Sequence, residues 1–242
     1  MAGHSKWNNI KRRKGAQDAK RGKIFTKMGR EIQVAVKEGG ADPANNKRLA
    51  DAIDKAKSYN MPNDSIARSI KRASDSSNTE NFDSITYEGY GPNGVAVIVK
   101  ALTDNRNRTA GNIRHIFGKH DGNLGQDGSV TFLFEEKGEI YVSNEDVDEE
   151  GLMMEAIEAG AEDVETLDEA FCIITLPTEY DTVKKALSAE YTIIESSLGP
   201  VPMSTVELNE KDAEKMQKLI DDLEEDDDVQ EVFHNWEEKD GE

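Results

Sequence analysis

Two stretches of this chain carry side chains able to do chemistry, and both suit an anion. The first is MAGHSKWNNIKRRKGAQDAKRGKIFTKMGR, residues 1–30, where ten residues are Lys or Arg and Asp18 is the sole acid. Lys6, Lys11, Arg12, Arg13, Lys14, Lys20, Arg21, Lys23, Lys27 and Arg30, with His4 beside them, can neutralise phosphates. Trp7 sits among these charges and has two readings. It can stack on an unpaired base, or it can clamp the arm onto the helices that follow. The second stretch is Thr103-Asp104-Asn105-Arg106-Asn107-Arg108-Thr109, where a strand pattern ends and a helical one begins. Helix N-terminal amides together with Asn105, Arg106, Asn107, Arg108 and Thr109 make a phosphate or carboxylate surface, and a capping network would use the same residues.

The elements that position these groups follow from periodicity. Residues 1–17 show no clean helical face. From Asp18 the pattern turns helical, with Ile24, Met28, Ile32 and Ala35 at spacings of four and three, up to Gly39-Gly40. Asp42-Pro43 reads as the cap and first turn of a second helix that carries Leu49, Ile53 and Ala56. A third follows Met61-Pro62-Asn63, with Ile66 and Ile70 on one face. From residue 82 the chain alternates strands and helices. ITYEGYGPNGVAVIVKALTD is strand, turn, strand. A helix follows over 106–119, and SVTFLFEE reads as the next strand. Residues 139–196 have the order β-α-β-β-α-β of a ferredoxin-like unit, and 204–235 supply a further β-α-β. The half units on either side of a complete one suggest a domain inserted into another.

The expected fold is therefore α+β: a small basic helical domain with its arm over 1–80, then two ferredoxin-like α/β domains, one discontinuous over 81–137 plus 203–238 and the other inserted into it over 138–202. Charge divides the chain in the same place. Residues 1–72 carry a net +11 and residues 73–242 a net −30, giving −19 for the whole. The polar stretch 74–81 reads as a linker. A polyanion suits the head, and a protein partner suits the acidic domains.

Other chemistry finds little support. There is no phosphate-binding G-x-x-x-x-G-K-[ST] loop and no H-E-x-x-H. His4, His115, His120 and His234 are scattered without metal spacing. His115, His120 and Asp121 could share an acid–base rim, but surface histidines at a helix end explain them better. Cys172, the single cysteine, lies in the apolar run AFCIITL and reads as a buried thiol. EEDDD at 224–228 lacks the spacing of a calcium loop and reads as a solvated face. No apolar stretch is long enough to cross a membrane, and no signal peptide is evident. A non-catalytic cytoplasmic protein without metal or cofactor is expected.

The head and the segment GYGPNGVAVIVKALTDNRNRT resemble the YebC/PmpR family of probable transcriptional regulatory proteins, over essentially the full length. In the head the likeness falls on His4, Ser5, Lys6, Trp7, Arg13, Lys14, Asp18, Arg21, Gly22, Lys23, Phe25 and Lys27. Further on it falls on Gly89, Tyr90, Gly91, Pro92, Gly94, Asp104, Asn105, Arg108 and Thr109. The resemblance implies a helical domain and two α/β domains, one inserted in the other, and a DNA-binding transcriptional role. Mitochondrial relatives resemble translational activators, and bacterial ones have been tied to the ribosome, so ribosomal or structured RNA stands beside DNA as the expected target. The placement of charge in an arm favours RNA, whereas the family name favours DNA.

Overall fold

The computed structural model describes Trp7, Ile10, residues 17–75 and residues 77–237, the side chains of 17–21 excepted. Among the described residues, Trp7 and Ile10 are helical, and α1 (Gln17–Gly39), α2 (Lys47–Ser58) and α3 (Asn63–Ser74) follow. Met28, Ile32 and Ala35 of α1 pack on Leu49, Ala52 and Ala56 of α2 and on Ile66 and Ala73 of α3. Asp42 does not cap α2. Its carboxylate accepts the Ala44 amide at 3.0 Å in a local turn, and Asn46 is the cap, accepting the Leu49 amide at 3.1 Å. The reason is chemical. The buried Asn46 amide also donates to the carbonyls of Ala35 (2.7 Å) and Gly40 (2.8 Å), which an acceptor-only aspartate could not do.

A hairpin follows, β1 (Asp83–Tyr90) antiparallel to β2 (Ala96–Thr103), turning at Pro92–Gly94 with Asn93 and Gly94 at positive φ. Gly91 admits the later helix α7 (Glu210–Glu225). A β-carbon there would lie 2.7 Å from the Met216 sulfur. After α4 (Arg106–Lys119) comes the two-residue strand β3 (Asn123–Leu124). Far along the chain, α7 (Glu210–Glu225) and β9 (Val229–His234) complete this layer, in the strand order β3-β1-β2-β9. β2 is buried along nearly its whole length, as its run of Val, Ile and Ala anticipates. SVTFLFEE is not a strand of this sheet. Thr131–Leu133 forms a 3-10 turn, and the chain from Phe134 joins another sheet.

That second sheet contains β4 (Phe134–Ser143), β5 (Ala161–Thr166), β6 (Ala170–Thr175) and β7 (Ile193–Pro202), in the order β5-β6-β4-β7 with every neighbour antiparallel. With α5 (Glu149–Ala159) after β4 and α6 (Tyr180–Leu187) after β6, this is the ferredoxin-like arrangement. β4 begins ahead of residue 138, where the sequence pattern starts the inserted unit. β7 runs on to Pro202, past the residue 196 at which the pattern ends it. It lies at the sheet edge, where Pro200 and Pro202 interrupt no inner ladder. Alternation sorts the side chains. Ile140, Val142, Phe171 and Ile173 meet Leu152 and Ala156 of α5 and Val183 and Leu187 of α6, while Tyr141, Ala170 and Cys172 face the other way.

The last small element pairs β8 (Val206–Glu207) with β10 (Trp236–Glu237) in a separate parallel ribbon. By compactness, residues 130–208 with Trp7, Ile10 and residues 233–237 form one unit, and the described residues of 17–129 with 209–232 form the other.

Candidate nucleic-acid interface

His4, Lys6, Lys11, Arg12, Arg13 and Lys14 lie outside the described residues, as do the side chains of Lys20 and Arg21. Trp7 and Ile10 are placed, and both are buried. Trp7 stacks on Tyr141, with centroids 5.8 Å apart and planes 13° apart, in a cluster with Ile10, Leu167, Ala170 and Cys172. The clamp therefore closes on the helix-free face of the β5-β6-β4-β7 sheet and not on the helical domain. The apolar run AFCIITL carries a signal for this, because both faces of that strand need cover. Burial pushes the Tyr141 phenol well up, with Cys172 and Glu139 adding to the effect. Its hydroxyl donates to Glu139 at 3.0 Å. Trp7→Ala is expected to uncover Cys172. Removing about 2–3 kcal/mol of aromatic burial should raise its rate of reaction with a thiol reagent at least about tenfold. An unchanged rate would mean that the arm does not seal this face.

Further along the head, Lys23, Lys27 and Arg30 form one stripe of α1, at spacings of four and three. They meet the C-terminal end of α7. Lys23 donates to the Glu225 carbonyl (3.1 Å), Lys27 to the Glu224 carbonyl (2.6 Å) and Arg30 to the Asp227 carbonyl (2.6 Å). These carbonyls stand at the negative end of the helix dipole and lack intrahelical donors, so cations suit them. Arg30 also pairs with Asp228 at 2.8 Å and lies 5.3 Å over the Phe82 ring. Three of the candidate phosphate ligands thus hold the helical domain to the protein's own acidic stretch.

The second candidate surface has an anion already in place. Asn105 caps α4 by accepting the Arg108 amide at 3.1 Å, and its own amide donates to Thr103 Oγ1 at 2.9 Å. Arg108 Nη2 lies 2.7 Å from both Asp104 and Asp228. The buried Thr109 hydroxyl donates to Asp228 Oδ2 at 2.7 Å. The Asp228 carboxylate, with 5% side-chain exposure, occupies this site. Burial alone would push its pKa up. The hydrogen bonds from Arg108 and Thr109 and the charges of Arg108 and Arg30 overcome that and hold it below the usual carboxylate range. Arg106 pairs at the surface with Asp83 (3.2 Å), and Asn107 is exposed. Sequence reasoning missed Asp228 by treating EEDDD as one solvated run. The available signal was its position next to the strand segment VQEVF.

Two other groups prove more structural than the sequence suggests. His120 is buried and sits 2.8 Å from Asp222, whose carboxyl is held down by Lys119 first and His120 second, so His120 is not a surface histidine. Lys55 lies between Glu231 (2.7 Å) and Glu31 (3.4 Å). Burial pushes its pKa down, and the two carboxylates outweigh that and hold the ammonium well above the usual lysine value. Arg68, Lys71 and Arg72 are exposed on α3. Among the described residues, no group of three His, Cys, Asp or Glu could hold a metal ion, and no helix is long and apolar enough to cross a membrane.

Family models match both parts of the chain. The TACO1/YebC protein N-terminal domain matches residues 5–76, and the TACO1/YebC second and third domain matches residues 82–236. The chain belongs to the TACO1/YebC family. A relative from Ruminiclostridium cellulolyticum is 56% identical over 240 residues, covering 98% of this chain and 97% of its own. One from Clostridium beijerinckii is 53% identical over 238 residues, with the same coverage. Both are named probable transcriptional regulatory protein. The crystal structure of a conserved hypothetical protein from Aquifex aeolicus is similar at a TM-score of 0.84 and 47% identity, covering 93% of each chain. The TACO1/YebC architecture explains why GYGPNG stands where it does: it turns the hairpin beneath α7. TDNRNRT caps α4 and receives Asp228.

Proposed function

We propose that this protein is a non-catalytic, nucleic-acid-binding regulator, a DNA-binding transcriptional regulator by the reading its relatives' names support, acting in the cytoplasm. The observation that carries the proposal is the division of labour in the head. Lys23, Lys27 and Arg30 are bound to the end of α7, whereas Lys11, Arg12, Arg13 and Lys14 form the stretch between the docked Ile10 and α1. Four consecutive cations give a dense charge next to a net of −30 over residues 73–242. That density suits phosphates, while the acidic domains exclude nucleic acid from their own surfaces and suit a protein partner.

A second reading, a translation factor bound to ribosomal or structured RNA, is favoured by the same run. Consecutive residues on a helix point about 100° apart, so four in a row cannot present one face to the base edges of a major groove. They suit a backbone followed by shape. Crosslinking in cells, with sequencing of all bound DNA and RNA, tests both. Enrichment at promoters supports transcription, and enrichment of ribosomal or messenger RNA supports translation. Recovery equal to that of a variant with alanine at all four positions would overturn the proposal.

A further inference from the structure

Helix α5 has two apolar sides. Leu152 and Ala156 face the core of the ferredoxin-like domain, which accounts for one of them. Met153, Met154 and Ile157 are 40%, 65% and 50% exposed, three large apolar side chains within five positions on the outward side of one helix. A surface helix ordinarily turns polar residues outward, and a contiguous apolar patch with a polar rim marks a binding surface. The rim here is acidic. Glu149, Glu150, Glu155 and Glu158 are the charged residues of α5, and all four are exposed. Glu179 approaches its C-terminal end at Gly160. Across residues 130–208 there are twenty Asp or Glu and three Lys, a net of −17. Lys137 is paired with Glu162, and Lys184 lies over the Tyr180 ring.

We propose that the Met153-Met154-Ile157 face of α5 is a docking site for a cationic amphipathic helix of a partner protein. The apolar centre supplies the area, and two unbranched methionines can repack around a partner's side chains. The glutamate rim chooses the sign. It repels nucleic acid and anionic bilayers, and it repels the same domain of a second copy, which also carries −17. A helix with leucines on one side and lysines at its margins satisfies both features at once.

The test uses the full chain and a fluorescein-labelled peptide of about 18 residues, with Leu on one helical face and Lys on the other. A scrambled peptide of equal composition keeps the charge and loses the face. The triple variant M153Q/M154Q/I157Q is expected to bind the amphipathic peptide at least about tenfold more weakly, and the scrambled peptide should bind the wild type at least about tenfold more weakly. E150Q/E155Q/E158Q should also weaken binding and flatten its salt dependence. Glutamine keeps helix propensity, so all variants should melt as the wild type does. Should the apolar triple variant lose its fold, the scrambled peptide and the glutamate variant decide the matter alone. Equal binding of both peptides would reduce the effect to bulk charge and overturn the proposal. Self-association seen by light scattering and abolished by the apolar triple variant would also overturn it, because a second copy would then be the occupant.

Discussion

Replacing Lys11, Arg12, Arg13 and Lys14 together with alanine is expected to weaken binding to duplex DNA or structured RNA at least about tenfold at moderate salt. The salt dependence should flatten too. Each duplex phosphate that the variant no longer neutralises takes about 0.9 off the slope of log affinity against log salt. The structure sharpens this expectation by removing competitors from the head. Lys23, Lys27 and Arg30 lie within 3.1 Å of carbonyls at or just beyond the α7 C-terminus, so a polyanion must compete with the protein itself for them. Alanine at those three positions should mainly lower stability, and alanine at 11–14 should mainly lower affinity. Gel-shift titrations at several salt concentrations, beside urea melts, separate the two effects. Unchanged affinity in the 11–14 variant, or a flat salt dependence in the wild type, would remove the head as the contact surface.

Where the sequence was legible, local physics decided the outcome. α4 over 106–119 and α7 over 210–225 match their apolar spacings, because each has an Asn cap at its start and one face to bury. The order β-α-β-β-α-β could be read because short apolar runs mark β4 and β6 and polar stretches separate the elements. What could not be read was long-range. Asp42 and Asn46 are both plausible caps by type, and only the two carbonyls waiting near Asn46 choose between them. Trp7 announced a contact without its partner, since nothing local links it to Tyr141. The acidic run 224–228 looked uniform because composition cannot distinguish an exposed acid from one buried against residues more than a hundred positions away. The candidate site was legible in the same measure. TDNRNRT reads as an anion-binding surface or a capping network, and in the structure Asn105 caps α4 while Arg108 and Thr109 hold the Asp228 carboxylate.

That anion is the basis of the expected loss on changing Asp228. Its Oδ1 meets Arg30 and its Oδ2 meets Arg108 and Thr109, so Asp228→Ala takes one acceptor from each, leaving Arg30 the Asp227 carbonyl, Arg108 the Asp104 carboxylate and Thr109 the Asn105 carbonyl. Breaking a buried ion pair by removing one partner costs about 3–5 kcal/mol. Arg108 is 45% exposed and can regain water, which places the expectation near the lower end, about 3 kcal/mol. In a unit of this size that corresponds to roughly 10 °C in melting temperature. The pH dependence has a definite sign. The folded carboxyl lies below its ordinary value, so its contribution is complete above the usual carboxylate range and is lost as pH falls through the folded value. Asp228→Asn keeps an acceptor but no charge. The stability difference between wild type and Asp228→Asn should therefore hold steady at neutral pH and shrink below about pH 4. Urea melts of the three proteins across that range measure it. A cost under about 1 kcal/mol for Asp228→Ala, or parallel acid profiles for wild type and Asp228→Asn, would show that the pairs among Arg30, Arg108 and Asp228 break even against their desolvation.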